Sequence, residues 1–552
     1  MLDAVVGTAI LLVAALLYER LYYLRIKQYA DWPQPKPSIL WGHLKFLSEV
    51  QRRGDERRHF DYVLAETRAS LGNPPVFLLD LRPFHAPMGV VCDHELAEQM
   101  TKSSKSHPYG LGKAPALFKL APLLGKKSII TAQGTEWKSI RKRFSPGFSS
   151  SHLMTRLPEI MHRTWRFVEN IEALARSGEE FLLHDLCANL TFDIIGAVAM
   201  GVDLRAQLAG QQSEIVSLFR QLTAAYRRDS SVASLWAGPG RYFRRRQIAH
   251  RLDRVLDAVV EQKFREMQAG GSSPSRSVLS ISLEEADELT PELLSETRDQ
   301  LKTFLFAGYE TTSNLLQWAF YELSRTPHAL QALRRELKDV FGPDAIPSTI
   351  RDLLSTQGSK YLPQLVYTGA VLKEVLRLYP ATGSAGYPLP GTGFFLHPPQ
   401  GAPLRLDGIV GYNFIYDIQR DESVYGPTKD DFIPERWLAE PEPHGNATAN
   451  TPRASAIDIP PGAWRPFERG PRACIGQELA KLEARAILVC SLARYDFEKV
   501  GMGQPARDRN GNCMLDSKGQ YRVESELFNV SQVTAVPVDG MKMRVKLADV
   551  DN

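Results

Sequence analysis

The longest hydrophobic pattern with helical spacing follows Thr290 and continues to Arg325. Thr290 suits an N-cap and Pro291 the first helical position, while Thr326–Pro327 gives a stop signal. A single helix of about 35 residues extends about 52 Å, which is enough to cross a large domain. The pattern therefore predicts one long central helix that is buried over much of its length.

Helical periodicity also dominates residues 153–270 and returns over residues 362–379, where Pro380 ends the pattern. The strand patterns are shorter. Residues 76–92 predict two strands around a turn, and the pieces at 530–538 and 541–547 predict a C-terminal β-hairpin. The prediction is a mostly α fold with a small β-region.

The N-terminus begins with an uncharged apolar run over residues 4–18. With the following turn to Leu24 it reaches the roughly 20 residues that cross a bilayer. Tyrosines at headgroup level and basic residues after them favour a cytosolic C-terminal side. A cleaved signal peptide is the alternative, although Asp3 replaces the usual cation and no Ala-x-Ala site follows.

A proline-rich segment, WPQPKP, follows this run and predicts a stiff polyproline-like spacer. The predicted organisation is a membrane anchor over residues 1–29, a hinge over 30–38 and one catalytic domain over 39–552.

The composition permits a large core and argues against a nucleic-acid-binding protein. The chain has 552 residues, of which 43% are hydrophobic, and 67 basic side chains face 63 acidic ones for a net charge of +4. The five cysteines lie far apart along the chain, which indicates a reducing compartment rather than a disulfide framework.

One cysteine, Cys474, stands apart because of its surroundings. It lies in a loop with two glycines and two prolines, and the helical run QELAKLEARAILVC follows directly. Backbone N–H groups, the positive end of a helix and the neighbouring cation Arg472 would stabilise a thiolate there. A lone thiolate suits haem iron better than zinc, which needs several protein ligands. The alternative is a buried, inert cysteine.

Two groups of residues on predicted helices are also candidates for chemistry. Trp137 and Arg141 are four residues apart, so an indole N–H and a guanidinium share one face and suit a carboxylate, although surface stacking is more common. In the central helix, Gly308 is followed closely by Glu310 and Thr311. Gly308 permits either tight helix packing or a flat ligand passing over it, in which case Glu310 and Thr311 would handle protons.

The segment FERGPRACIG matches the haem-binding signature of the cytochrome P-450 family, Phe-x-x-Gly-x-Arg-x-Cys-x-Gly, at every fixed position. The stretch AGYETT resembles the family's central-helix motif, and W-x-x-x-R, E-x-x-R and P-E-R-W motifs occur in the family's order. The chain therefore resembles a membrane-anchored, microsomal-type member of this family, and the resemblance implies the cytochrome P-450 fold with its long central helix over the haem.

The resemblance also implies roles for single residues. Cys474 would be the axial ligand of haem iron, and Thr311 and Glu310 would be the catalytic acid–alcohol pair. Glu374, Arg377 and Arg436 would form a buried structural network. The residues implied to bind the cofactor are Trp137, Arg141, Gly308, Phe467, Arg472 and Gly476.

The implied activity is insertion of one oxygen atom from O2 into an apolar substrate. The implied cofactor is haem b, and the electrons come from NADPH through a separate cytochrome P-450 reductase, with cytochrome b5 as a further partner. The implied location is the endoplasmic reticulum membrane, with one N-terminal anchor and the catalytic domain in the cytosol. Segment PPGAWRPFERGPRACIGQELA looks like fungal natural-product oxidases, which suggests a polyketide or terpenoid intermediate.

Other functions remain open from the sequence: a fatty-acid or xenobiotic hydroxylase, an oxygen-independent haem-thiolate isomerase or dehydratase, and a haem-binding sensor. The apolar pocket is expected from residues 106–124, 304–308 and 381–389. A loop over residues 235–246, with Trp236 and several arginines, is either solvated or a second membrane contact. A basic docking face for the reductase is expected from Lys138, Lys142, Arg143, Arg465, Arg469 and Lys481.

Two positions depart from the family pattern. Where members often carry an Arg or His that binds a haem propionate, this chain has Gly386–Tyr387–Pro388, so a tyrosine hydroxyl is the candidate. Gln419 replaces a common histidine before Arg420–Asp421.

Overall fold

The computed structural model describes residues 2–227, 239–270, 276–343, 345–438, 458–532 and 534–548. It is mostly helical, as the periodicity predicts. The α-helices are α1 Leu2–Tyr22, α2 Leu44–Gln51, α3 Phe60–Ser70, α4 His94–Thr101, α5 Ala121–Leu124, α6 Gly134–Phe144, α7 Ser150–Ser177, α8 Leu183–Ile195, α9 Glu214–Arg227, α10 Pro239–Gln268, α11 Val278–Leu283, α12 Pro291–Arg325, α13 Pro327–Phe341, α14 Pro347–Tyr361, α15 Val366–Leu378, α16 Ile415–Ile418, α17 Glu422–Tyr425 and α18 Gln477–Leu492.

Within the described residues, the strands are short and form four small sheets. A four-stranded sheet has the order β1-β2-β7-β4, a three-stranded sheet the order β3-β11-β8, and β9–β10 and β5–β6 are two-stranded. The strands are β1 Val76–Leu79, β2 Met88–Val91, β3 Phe181–Leu182, β4 Ser384–Gly386, β5 Phe395–Leu396, β6 Leu404–Arg405, β7 Val410–Asn413, β8 Tyr495–Lys499, β9 Asn529–Ser531, β10 Ala535–Pro537 and β11 Lys542–Leu547.

The chain divides into two compact units. The first contains residues Met1–Ala116, Gly383–Asp421 and Pro460–Ala473, and the second contains Leu117–Thr382, Glu422–Ile459 and Cys474–Asn552. In the first unit, β1 and β2 pair antiparallel while β2 and β7 run parallel. Every residue of β1 is buried, because apolar clusters cover both faces of the sheet.

The second unit is organised around α12, whose bounds agree with the prediction. Thr290 caps the helix by accepting a hydrogen bond from the Leu293 N–H at 3.2 Å, and Pro291 occupies its first position. Most of the helix is buried, and Trp318 stacks on Tyr379 with ring centroids 3.7 Å apart. The length of α12 thus follows from a strong start and from burial along most of its length.

The helix predicted over residues 362–379 is shorter in the structure. A 3-10 turn occupies Leu362–Gln364, and α15 begins at Val366. Pro363 lies in this turn and lacks an N–H. The Glu336 carboxylate accepts hydrogen bonds from the N–H groups of Tyr367 and Thr368, so an acid from α13 satisfies the new helix start.

The C-terminal strands pair differently from the predicted single hairpin. β9 and β10 form an antiparallel hairpin in which Ala535 lies opposite Ser531. β11 pairs instead with β8 and β3. Its alternate residues Met543 and Val545 are buried, so this strand completes a separate sheet.

The N-terminal helix carries an apolar surface that the rest of the chain leaves uncovered. The segment Val5–Lys27 has a mean hydropathy of 1.7, and no residue of its most apolar stretch is buried. Both observations are consistent with a membrane anchor. A second apolar helical segment, Leu183–Met200, is 78% buried and packs in the core of the second unit.

The proline-rich segment is not a detached spacer, which corrects the prediction. Trp32 is only 6% exposed and belongs to the apolar core of the first unit. The Leu78 N–H donates to the Pro33 carbonyl at 2.8 Å, and a ring nitrogen of His43 lies 2.8 Å from the Pro35 carbonyl. A polyproline strand exposes every carbonyl, so these residues dock readily against β1.

The chain enters the first unit earlier still, at Arg25. This side chain is buried and pairs with Asp80 at 2.7 Å. It also donates to the carbonyls of Leu40 and Arg82 at 3.1 and 2.9 Å. Arg25 belongs to the predicted anchor over residues 1–29, yet its side chain is also part of the folded first unit.

Candidate active site

Cys474 lies just before α18, where backbone donors surround its sulfur. The N–H groups of Gly476 and Gln477 donate to it, and the guanidinium of Arg141 lies near enough to favour a thiolate. Burial nevertheless raises the pKa of the Cys474 thiol above its ordinary value. The favourable cation is Arg141 of α6, rather than the sequence neighbour Arg472. Metal coordination is what would keep such a desolvated sulfur ionised.

The Cys474 side chain is exposed, although the surrounding protein desolvates its sulfur. An exposed thiolate donor at the N-terminus of a helix fits an iron porphyrin.

The central helix is partly exposed at its middle. Between fully buried turns, Ala307 is exposed, and Phe306, Gly308 and Thr311 are partly exposed. The Thr311 hydroxyl donates to the Ala307 carbonyl at 2.6 Å, as a helical threonine commonly does. By contrast Phe304, expected in the pocket wall, is 3% exposed and packs between Phe144 and Phe148.

Gly308 had two explanations, and the structure supplies direct evidence for packing. A Cβ atom at this position would lie 2.8 Å from Cγ1 and 2.9 Å from Cδ1 of Ile195 on α8. Contacts this short do not occur between carbon atoms, so α8 and α12 approach closely only because residue 308 lacks a side chain.

Trp137 and Arg141 lie on one face of α6, as their spacing predicts. Trp137 is 6% exposed, and Arg141 is partly buried. Burial lowers the pKa of Arg141 and the negative charge of Cys474 raises it, so the guanidinium lies near the sulfur. Arg143, two residues on, pairs with Glu296 at 2.7 Å instead.

Glu374, Arg377 and Arg436 form one buried ionic network. The Glu374 carboxylate accepts from Arg377 at 2.7 and 2.9 Å and from Arg436 at 2.9 Å. The Trp437 indole and the Ile433 N–H donate to the same carboxylate at 2.8 and 3.1 Å. The hydrogen bonds outweigh desolvation and lower the pKa of Glu374. A fully bonded, buried triad fixes the position of the loop that precedes residue 438 relative to α15.

In the first unit, the loop before Cys474 is held by a glycine that no other residue replaces easily. Gly470 has φ +75°, and a Cβ atom there would lie 2.3 Å from the Thr101 carbonyl oxygen. Phe467 is partly buried, and its ring lies 6.3 Å from that of Trp464. Gly476 has ordinary helical-cap geometry, where a Cβ would be 3.9 Å from the Cys474 sulfur.

The sequence interpretation missed Lys113. Burial lowers the pKa of this lysine to about 8, and the neighbouring Arg472 contributes to that lowering. Burial also lowers the pKa of Arg472, to about 10. Glu468 acts on Lys113 in the opposite direction, and a haem carboxylate would add a second negative charge beside the two cations. A lone lysine within the apolar stretch around GLGKAPAL was the available signal.

The two positions that depart from the family pattern both make contacts within the first unit. Gln419 is buried and accepts a hydrogen bond from the Arg465 N–H at 2.9 Å. Tyr387 lies close to Tyr29, whose pKa it helps to raise. The N–H of Tyr387 donates to the Gly112 carbonyl at 2.7 Å, which fixes the residue before Lys113.

The predicted docking face loses one member. Arg465 is 1% exposed and donates to Glu468 at 2.7 Å and to Thr101 at 3.2 Å, so it is part of the first unit's core. Arg469 is bound to Glu98 at 2.5 Å. In the second unit, Lys138 and Lys142 are exposed.

The structure describes only part of the segment 235–246, which was predicted to be either a solvated loop or a second membrane contact. Leu235 and Trp236 lie outside the described residues. Within the described part of that segment, Tyr242 and Phe243 are 55% and 60% exposed.

Comparisons with known proteins agree with these features. The model of the cytochrome P450 family matches residues 33–523. The chain is 32% identical over 484 residues to cytochrome P450 monooxygenase acrF of Aspergillus aculeatus, covering 85% of this chain and 94% of that protein. It is 28% identical over 499 residues to cytochrome P450 monooxygenase polC of Polytolypa hystricis, covering 87% and 84%.

Human cytochrome P450 4V2 is 27% identical over 500 residues, covering 86% of this chain and 87% of that protein. The fold matches the crystal structure of the cytochrome P450DA heme domain with a TM-score of 0.69 at 19% identity, over 94% of this chain and 98% of that one. The chain belongs to the cytochrome P450 family and is a cytochrome P450 monooxygenase.

Proposed function

We propose that this monooxygenase inserts one oxygen atom into an apolar polyketide or terpenoid intermediate of secondary metabolism. The observation that carries the proposal is Cys474, whose side chain is exposed while two backbone N–H groups and Arg141 favour the ionised form of its sulfur. The similarity to two fungal monooxygenases supports a fungal-type substrate.

In the second unit, Cys474 would hold the iron of haem b, and Trp137 and Arg141 would bind a haem carboxylate. In the first unit, Arg472 and Lys113 offer positive charge that suits a haem carboxylate. When bound, thiolate-ligated haem supplies the iron that reacts with O2 and favours O–O cleavage. The Gly476 and Gln477 N–H groups temper the electron donation from the sulfur by hydrogen bonding to it.

Thr311 and Glu310 would supply the protons that oxygen reduction needs. Thr311 lies at the partly exposed middle of α12. Its hydroxyl donates a hydrogen bond to the Ala307 carbonyl, and the hydroxyl oxygen can still accept one. Glu310 is buried next to it and carries the acidic group. An acid behind an alcohol is a suitable arrangement for moving a proton inward.

The electrons would come from NADPH through a separate reductase at the endoplasmic reticulum membrane. The exposed apolar helix α1 supports membrane attachment, with the folded units on the cytosolic side. Lys138 and Lys142 of α6, with Lys481 of α18, offer positive charge to an acidic partner. Cytochrome b5 would use the same kind of contact.

The test combines a spectrum with a mutant pair. The reduced carbon-monoxide complex of the wild type should show the red-shifted Soret band of thiolate ligation. With reductase and NADPH, Thr311→Ala should divert electrons to hydrogen peroxide, whereas Thr311→Ser should couple as the wild type does, because it keeps the hydroxyl. Product formation without oxygen or reductant would instead indicate an isomerase.

The substrate class needs a separate experiment. Metabolites of strains with and without this gene should differ by an oxidised polyketide or terpenoid and its unoxidised precursor. Accumulation of unoxidised fatty acids or of an added xenobiotic would contradict this assignment.

A further inference from the structure

The central helix makes polar contacts with the β9–β10 hairpin along one stripe. Residues 310, 314 and 318 are spaced by four, so they lie on the same side of α12. The Thr534 hydroxyl donates to a Glu310 carboxylate oxygen at 2.8 Å. The Asn314 amide donates to the Thr534 hydroxyl at 3.2 Å and to the Ala535 carbonyl at 2.7 Å. The Trp318 indole donates to the Asn529 side chain at 3.1 Å.

These groups are removed from water. Glu310 is 1% exposed, Asn314 2% and Thr534 6%. A hydrogen bond to a carboxylate in such surroundings has no water to replace it when it is lost. The Thr534 hydroxyl therefore has a large influence on where the Glu310 carboxyl lies.

The acid and the alcohol of the catalytic pair face different surroundings. Thr311 is partly exposed at the accessible middle of α12, whereas Glu310 is directed into the hairpin contact. The hairpin has a further anchor outside α12, because the Ala535 N–H donates to the Ala381 carbonyl at 3.0 Å. The position of Glu310 thus depends on a hairpin that is 224 residues distant along the chain.

We propose that Thr534 is a positioning residue for proton delivery, because its hydroxyl fixes the Glu310 carboxyl in one orientation relative to Thr311. Asn314 assists by fixing the Thr534 hydroxyl itself. The proposal rests on the proposed role of Glu310 in the monooxygenase reaction.

The principal variant is Thr534→Val, which keeps the shape of the side chain and removes the donor. Loss of one hydrogen bond to a charged group should change the ratio between the Glu310 orientation seen in the structure and other orientations by about tenfold or more. The full-length holoenzyme with reductase and NADPH should form more hydrogen peroxide per NADPH consumed. Thr534→Ser should restore the wild-type ratio.

The matched control is Asn529→Ala, which removes a contact between the same hairpin and α12 without touching Glu310. It should leave the peroxide ratio unchanged. In the background of Glu310→Gln, Thr534→Val should have no further effect, because the group that it positions has already been replaced.

A second readout does not depend on turnover. The C–O stretching frequency of the reduced carbon-monoxide complex reports the local field, so it should shift in Thr534→Val and Glu310→Gln but not in Asn529→Ala. Equal shifts in Thr534→Val and Asn529→Ala, or no shift in Thr534→Val, would overturn the positioning role. Absence of the thiolate-type Soret band in the wild type would overturn the proposed function instead.

Discussion

Replacing Gly308 by alanine tests whether this residue serves packing or the cofactor. The added Cβ would lie 2.8, 2.9 and 3.2 Å from three atoms of the Ile195 side chain, which is 3% exposed and cannot move outward freely. Overpacking of this kind costs about 1–3 kcal/mol. Alanine recovers about 1 kcal/mol as a better helix former. Because Ile195 is enclosed, the overpacking cost lies in the upper part of its range. The expected net decrease in the free energy of unfolding is therefore about 1–2 kcal/mol.

The second substitution removes the obstacle. Ile195→Ala alone should cost about 2–5 kcal/mol, because it leaves a cavity. In the double variant the methyl group introduced at position 308 enters that cavity. The combined loss should therefore fall short of the sum of the two single losses by about 1–2 kcal/mol.

The assay is urea unfolding of the holoprotein, followed by tryptophan fluorescence and by loss of the Soret band. Gly240→Ala is the control, since a Cβ added to this helical glycine would meet no atom within 4 Å and alanine should be accepted there without loss. Additive losses in the double variant would refute the packing explanation. A Soret band altered by Gly308→Ala and not restored by Ile195→Ala would assign Gly308 to the cofactor.

Three further results are expected. Cys474→His should abolish the red-shifted Soret band of the reduced carbon-monoxide complex, and a normal thiolate spectrum in that variant would contradict the ligand assignment. Removal of residues 1–22 should release the protein from membranes with haem retained, whereas Arg25→Ala should lower the thermal midpoint, because breaking a buried ion pair costs up to about 3–5 kcal/mol, less here because Arg82 still binds Asp80. Burial raises the pKa of Glu483 to about 8. The folded state therefore keeps a proton that the unfolded state releases above about pH 4.5, so the free energy of unfolding decreases as the pH rises from about 4.5 to about 8. Glu483→Gln should flatten this fall in thermal midpoints measured from pH 5 to 8, and parallel curves for the two proteins would contradict the assignment.

Local signals in the sequence predicted local structure well. Thr290 and Pro291 place the start of α12, and the apolar run after Pro75 places β1 and β2. Each of these signals acts within a few residues, because caps and prolines change only the neighbouring backbone. The start of α15 was missed because its cap is Glu336, an acid some 30 residues earlier on another helix.

Charged residues were the main source of error at the candidate site. Arg465 looked like a surface cation, yet Glu468 and Thr101 bind it in the core. The sequence did not identify Lys113, although burial and Arg472 both lower its pKa. Burial of a charge is decided by partners that the fold brings together from distant segments, and residue spacing holds little information about them.

The contact between Arg25 and Asp80 has a mechanical consequence for the proposed membrane anchor. The helical backbone continues from α1 through Tyr23–Lys27, and Arg25 is already locked into the first unit. The helical backbone thus connects the proposed anchor directly to the folded unit, so the anchor would move rigidly with that unit. A tilt of the proposed anchor in a bilayer would turn the first unit with it, and the helix would set the depth at which this unit meets the lipid headgroups.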